Sequence, residues 1–80
     1  MDKSELLSKL NEIFNTVLDP DTPVTITETS TADDIEEWDS LAHIQLVVAI
    51  EKEFSARFTS TEVENFFNVG DIVSSLESKI

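Results

Sequence analysis

The sequence predicts an all-α fold: a four-helix bundle with three longer helices, one short third helix and a long loop between helices one and two. Three observations predict it. Apolar residues recur at steps of three and four in separate stretches, the period of a helix with one buried face. The chain has one glycine and two prolines, too few for the turns of an all-β architecture. Its 80 residues are 40% hydrophobic and include five phenylalanines and one tryptophan, enough for a single core and a single domain over 1–80, but not for a deep pocket as well.

The first helix is expected over about Ser4 to Leu18, with Leu6, Leu10, Ile13, Phe14 and Val17 on one face. Asp2 and Glu5 have the spacing of a capping box. Asp19-Pro20 ends the helix, because proline disfavours the helical conformation in the residue before it. The connection from 19 to 39 is rich in Ser and Thr, contains both prolines, and has Ile26 and Ile35 as apolar anchors. Connections this long are usually functional or disordered. Val24 to Thr27 favours an extended chain, but a lone strand has no partner, so it reads as loop.

The second helix is expected over about Ser40 to Ala56. Leu41, Ile44, Leu46, Val47, Val48, Ile50 and Phe54 cover more than half of its circumference. Such a helix is either central in the core or keeps an apolar strip for a partner. Leu46, Ile50 and Phe54 are the expected core positions, and Val48 points elsewhere. The short third helix is expected over about Ser60 to Phe66, with Val63, Phe66 and Phe67 toward the core. Asn68-Val69-Gly70 is a break, with Gly70 either in a tight turn or opening the next helix. The last helix is expected from about Val69 or Gly70 to Lys79, with Ile72, Val73, Leu76 and Ile80 on one face.

Charge narrows the function. Five basic and 17 acidic residues give a net charge of −12, which repels nucleic acid and anionic lipid and favours basic protein surfaces. The longest apolar run, Leu46 to Ile50, is five residues, against about 20 for a membrane span. The start Met1-Asp2-Lys3-Ser4-Glu5 lacks the basic and apolar parts of a signal peptide, so a cytoplasmic location is expected. There is no cysteine, hence no disulfide, thiolate metal site or thiol nucleophile of the chain's own.

The most informative segment is Asp33-Asp34-Ile35-Glu36-Glu37-Trp38-Asp39-Ser40-Leu41, in which five of the seven residues from Asp33 to Asp39 are acids. Locally, Asp39 or Ser40 serves as a helix N-cap, and the acids favour the positive helix end. A hydroxyl at the end of a long loop is also expected to be exposed. A phosphate ester on Ser40 would sit beside free backbone N–H groups. The crowded carboxylates disfavour a free phosphate there and would project an attached group outward.

Rival constellations fail on spacing. Asp39, Ser40 and His43 superficially suggest a hydrolase triad, but Asp39 adjoins Ser40 instead of standing behind His43, and no glycine-rich elbow is present. His43 is expected to face solvent or touch a partner. Asp19 and Asp21 have the spacing of a calcium loop, but Val24 and Ser30 occupy the positions that need glycine and glutamate. A lone histidine makes no zinc cluster.

Trp38-Asp39-Ser40-Leu41 at a helix start, followed by Leu46 to Phe54 in register, resembles the Asp-Ser-Leu signature of the acyl carrier protein family. Phe58, the Glu62 to Phe66 segment and Val69 to Leu76 follow the family's later apolar pattern. The resemblance implies that Ser40, flanked by Asp39 and Leu41, carries a covalent 4'-phosphopantetheine arm taken from coenzyme A by a phosphopantetheinyl transferase. It implies a carrier rather than an enzyme, holding acyl or aminoacyl groups as thioesters for a loading enzyme and downstream transferases, with a monomer as the expected state. Partner contacts are expected at Gln45, Val48, Glu51 and Glu53. Glu37 and Trp38 stand where carriers of fatty acid synthesis usually have a glycine and a small or aliphatic residue, and Lys52 interrupts the acidic second helix. In this the chain resembles stand-alone carriers of specialised routes. The alternative from another class is an unmodified acidic adaptor that offers the same helix face to a basic groove.

Overall fold

A computed structural model describes residues 2–80. Four helices follow one another: α1 (Lys3–Leu18), α2 (Ser40–Phe54), α3 (Ser60–Glu64) and α4 (Val69–Glu77). Among the described residues there is no strand; one isolated antiparallel bridge joins Thr31 to Asn68.

The Asp2 side chain caps α1 by accepting from the Glu5 backbone N–H at 2.9 Å. Asp19 closes it in the left-handed conformation, φ 44°. Leu6, Leu10, Phe14 and Leu18 are buried, with Ile13 and Val17 half-buried beside them. Helix α2 ends two residues earlier than the periodicity suggests, because Ser55 turns left-handed at φ 52° and its N–H bonds the Glu51 carbonyl. Ala42, Leu46, Val47 and Ile50 form its buried face, and Phe54 is half-buried.

The long connection is held as extended chain by side chains of α1. Val24 N–H donates to Asn15 Oδ1 at 2.8 Å, Asn15 Nδ2 donates to the Val24 carbonyl at 2.9 Å, and Ile26 N–H donates to Asn11 Oδ1 at 2.9 Å. Two asparagines one helical turn apart therefore supply what a neighbouring strand would otherwise supply. Ile26 and Ile35 are buried as expected, and Trp38 closes the core beside them.

The loop then meets α4. Val69 N–H donates to the Ser30 carbonyl at 2.9 Å and Gly70 N–H to the Glu28 carbonyl at 2.7 Å, which satisfies N–H groups that the first helical turn leaves unpaired. A Cβ on Gly70 would stand 3.0 Å from the Glu28 carbonyl oxygen. The only glycine thus serves a close backbone approach inside the first turn of α4, not a tight turn before it.

The short α3 starts at Ser60, as expected, behind a cap at Thr59. Thr59 and Glu62 form a reciprocal capping box, and Asn68 with Asp71 does the same for α4. Two expected core residues point outward: Phe67 is 69% exposed and Ile80 is 51% exposed. Helix α3 ends at Glu64 rather than Phe66, so Phe66 alone turns inward from that junction, and α4 ends before Ile80.

Candidate functional site

Ser40 is the first residue of α2 and is exposed. The local sequence builds this helix start. Asp39, in extended conformation, accepts from the Ala42 N–H through Oδ1 at 2.8 Å, and its carbonyl accepts from the His43 N–H at 2.8 Å. Asp39 is therefore the cap, which leaves the Ser40 hydroxyl free of that task. Among the described residues no hydrogen bond engages that hydroxyl. Leu41 follows, 67% exposed. Asp39, Ser40 and Leu41 thus stand together at the positive end of the α2 dipole.

A row of rings braces the protein behind this serine. Phe14 meets Trp38 edge-on with centroids 5.0 Å apart, Trp38 lies edge to edge with His43 at 6.0 Å with the planes 21° apart, His43 meets Phe66 at 6.3 Å, and Phe66 meets Phe58 at 5.0 Å. Trp38 Nε1–H donates to His43 Nδ1 at 3.0 Å. That bond places the imidazole proton on Nε2, which lies 3.3 Å from the Val63 carbonyl and donates to it. His43 is therefore not solvent-facing, as its sequence context suggests. It is half-buried and ties α2 to both the incoming loop and α3. With both ring nitrogens engaged, it offers no base to Ser40.

Beside Ser40 runs an open groove of about 510 Å³, lined by Ala32, Trp38, Asp39, His43, Val63 and Phe66 among others. Its walls are mostly apolar. Of the acids of the connection Asp39 lines it, while Asp33, Asp34 and Glu36 stay outside and are exposed, and Asp34 accepts from the Thr31 N–H and hydroxyl. Among the described residues no group of three His, Cys, Asp or Glu could hold a metal ion, and no helix is long and apolar enough to cross a membrane.

The four residues expected to meet partners separate into two sets. Gln45 and Val48 lie on the outward strip of α2 with Leu41 and Ile44, all exposed. Glu51 and Glu53 do not share an edge, because two residues apart on a helix is more than half a turn. Glu51 turns toward the connection between α2 and α3, where its carboxylate accepts from the Phe58 N–H at 2.9 Å. Glu53 turns toward α1, 3.4 Å from Lys9 Nζ. Sequence reasoning did not single out Ile44, 60% exposed, although its spacing from Leu41 and Val48 places it on the strip.

One further carboxylate is perturbed, away from Ser40. Glu62 is held down from an ordinary 4.5 to about 2, first by the Ser75 hydroxyl donating at 2.5 Å, then by the Thr59 N–H and by Lys79 at 3.1 Å. It fastens α3 to α4.

No family model matches the chain. Individual proteins do. It is 40% identical over 73 residues to an acyl carrier protein of Acidothermus cellulolyticus, spanning 91% of this chain and 86% of that protein. It is 31% identical over 80 residues to an acyl carrier protein of Thermosynechococcus vestitus, spanning 100% and 98%. Among solved structures, the solution NMR structure of the holo acyl carrier protein from Geobacter metallireducens superposes with a TM-score of 0.83 at 36% identity, covering 91% of this chain and 83% of that one. These relatives are carriers, not enzymes. Sequence similarity over nearly the whole length, on a shared helical architecture, makes this chain a member of the acyl carrier protein family.

Proposed function

We propose that Ser40 is the attachment point of a 4'-phosphopantetheine arm, and that the protein presents acyl or aminoacyl thioesters on it to partner enzymes. The observation that carries this reading is the exposed Ser40 hydroxyl at the first position of α2, relieved of capping by Asp39. The surroundings fit the group. A phosphodiester at Ser40 would lie against the N–H groups of the first turn of α2, and the apolar groove by Trp38, Val63 and Phe66 offers a surface along which an arm could rest. When bound, the arm supplies the thiol that this cysteine-free chain lacks.

The chain's own residues position and present. Asp39 fixes where α2 begins, the Trp38–His43–Val63 link holds that helix end against the loop and α3, and the outward strip with Gln45 and Val48 meets the partner. Glu51 and Glu53 flank that strip on opposite sides. A phosphopantetheinyl transferase, a loading enzyme and downstream transferases are the partners, met by a monomeric carrier in the cytoplasm. Glu37 and Trp38 before the Asp-Ser-Leu run favour a specialised route over fatty acid synthesis. The tether raises the local concentration of cargo at each active site it reaches.

The test is intact-mass measurement after incubation with coenzyme A and a broad-specificity phosphopantetheinyl transferase. The wild-type chain is expected to gain one phosphopantetheine unit and Ser40→Ala none. A gain that persists in Ser40→Ala would overturn the assignment of the site. A wild-type chain left unmodified by every transferase tried would overturn the carrier chemistry in favour of an unmodified acidic adaptor.

A further inference from the structure

We infer that the outward face of α2 is a bipolar docking surface, made for a partner patch that is basic at the Ser40 end, apolar in the middle and acidic at the far end. The inference rests on the carrier reading for its biological setting, but the surface stands on its own observations. Leu41, Ile44 and Val48 are 67%, 60% and 47% exposed. They follow the i, i+3, i+7 spacing of a single helix face. A single exposed leucine is ordinary; three apolar side chains aligned over two turns form a patch that water solvates poorly.

The far end of this strip is where the chain's unpaired positive charge gathers. Of its five basic residues, Lys3 pairs with Glu28, Lys9 with Glu53 and Lys79 with Glu62, at 3.1–3.4 Å. Among the described residues, Lys52 and Arg57 pair with no carboxylate. Both are exposed, and both line one groove of about 510 Å³ with Val48, Glu51, Ser55 and Ala56. The residues three and four positions from Lys52 along the chain are Val48, Ala49, Ser55 and Ala56, so no carboxylate is in register for an intrahelical pair. Of the nearest acids in sequence, Glu53 pairs with Lys9, and Glu51 turns its carboxylate to the Phe58 N–H but keeps its charge, so the two cations outnumber one carboxylate in that groove. The α2 dipole favours a cation at Lys52, but Arg57 lies beyond the helix and has no such reason to stand there.

The opposite end carries the reverse sign. Asp33, Asp34 and Glu36 are exposed in the loop that leads into Ser40. Twelve residues from Ser40 to Lys52 at 1.5 Å each separate the two ends by about 18 Å. A partner with a uniformly basic patch would meet like charge at Lys52 and Arg57. A partner that places carboxylates there and bases near Ser40 is matched at both ends and can dock in one sense only. Charge of this kind sets orientation and rejects wrong partners more than it adds affinity.

The test uses the unmodified, 15N-labelled protein and three synthetic amphipathic helical peptides with the same apolar stripe. One is basic at one end and acidic at the other, with the ends about 18 Å apart; one is basic throughout; one is acidic throughout. Amide shifts along α2 are followed on titration. The bipolar peptide is expected to bind most tightly, with shifts at Leu41, Ile44, Val48 and Lys52. The double variant Lys52→Glu, Arg57→Glu is expected to weaken it by about three- to tenfold, the worth of two exposed charge pairs, and to prefer the basic peptide. Both differences should shrink at high salt. Tighter binding of the basic peptide to the wild-type protein, equal binding of all three, or no shift along α2 would each overturn the inference. Ser40 takes no part, so failure here leaves the mass-shift result untouched, and the reverse.

Discussion

Helices α1 and α2 are nearly equal in length, 16 and 15 residues, and pack side by side, yet they use their apolar residues differently. In α1 every apolar residue is buried or half-buried: Leu6, Leu10, Phe14 and Leu18 fully, Leu7, Ile13 and Val17 in part. In α2, Ala42, Leu46, Val47 and Ile50 face the core while Leu41, Ile44 and Val48 face water. Both helices end in a left-handed residue that is not glycine, Asp19 and Ser55, so the contrast does not come from how they terminate. It comes from supply. Helix α1 carries about as many apolar side chains as one core face can take. Helix α2 carries more, and the surplus forms a strip that leads away from Ser40. A helix that keeps apolar residues in water gives up burial energy, and on the proposed carrier reading the surplus is the surface that a partner covers.

The sharpest way to break this comparison is substitution on the two faces of α2. Leu46→Ala removes a side chain that is 1% exposed, and should cost about 2–5 kcal/mol in urea unfolding. Leu41→Ala, on the outer strip, should change stability by less than about 0.5 kcal/mol. Similar losses at both positions would mean that the strip belongs to the core after all. A smaller effect is expected at the helix start. Asp39→Ala removes the bond to the Ala42 N–H and should cost about 1 kcal/mol. Because the first turn then frays, modification of Ser40 should also slow, as followed by the rate of mass gain. An unchanged rate would show that the cap does not position the serine.

The subtlest effect asks whether a third mode of attachment exists beside these two. Helix α3 has no buried residue within its span and is fastened by Glu62 to Ser75 and Lys79. The carboxyl stays ionised down to about 2 in the folded chain, against an ordinary 4.5. Its contribution to stability is therefore complete above 4.5, and is lost as pH falls from there through about 2. Glu62→Gln should flatten that part of the acid limb in a pH series of thermal melts and leave neutral-pH cooperativity intact. An acid limb identical to that of the wild type would show that α3 is held without Glu62, by Val63, Phe66 and the bond from His43.

Much of the candidate site was legible because its causes are local. The Asp39 cap and the exposed Ser40 follow from residue types at a helix start, and the burial of Leu46 and Ile50 follows from period. The capping box Thr59-Ser60-Thr61-Glu62 was equally open to reading, since its spacing is that of the motif; the expected start at Ser60 is the observed one, and only the cap before it went unread. His43 is another matter. Nothing in its neighbourhood along the chain indicates that Trp38 would donate to one ring nitrogen while the other reaches Val63, 20 residues away. Glu51 and Glu53 look like one edge in the sequence, and the helix turns them to opposite neighbours.

What the sequence determined by itself is the order of the helices, their caps, the free serine at the head of α2 and the strongly acidic balance. Each of these depends on residues within a turn or two of one another, or on composition alone. Tertiary structure decided how the long connection is held, through Asn11 and Asn15. It also decided why the lone glycine stands against Glu28, which way Phe67 points, and which two cations remain unpaired. Those outcomes depend on groups far apart in the chain, whose meeting is fixed only when the apolar faces close on one another.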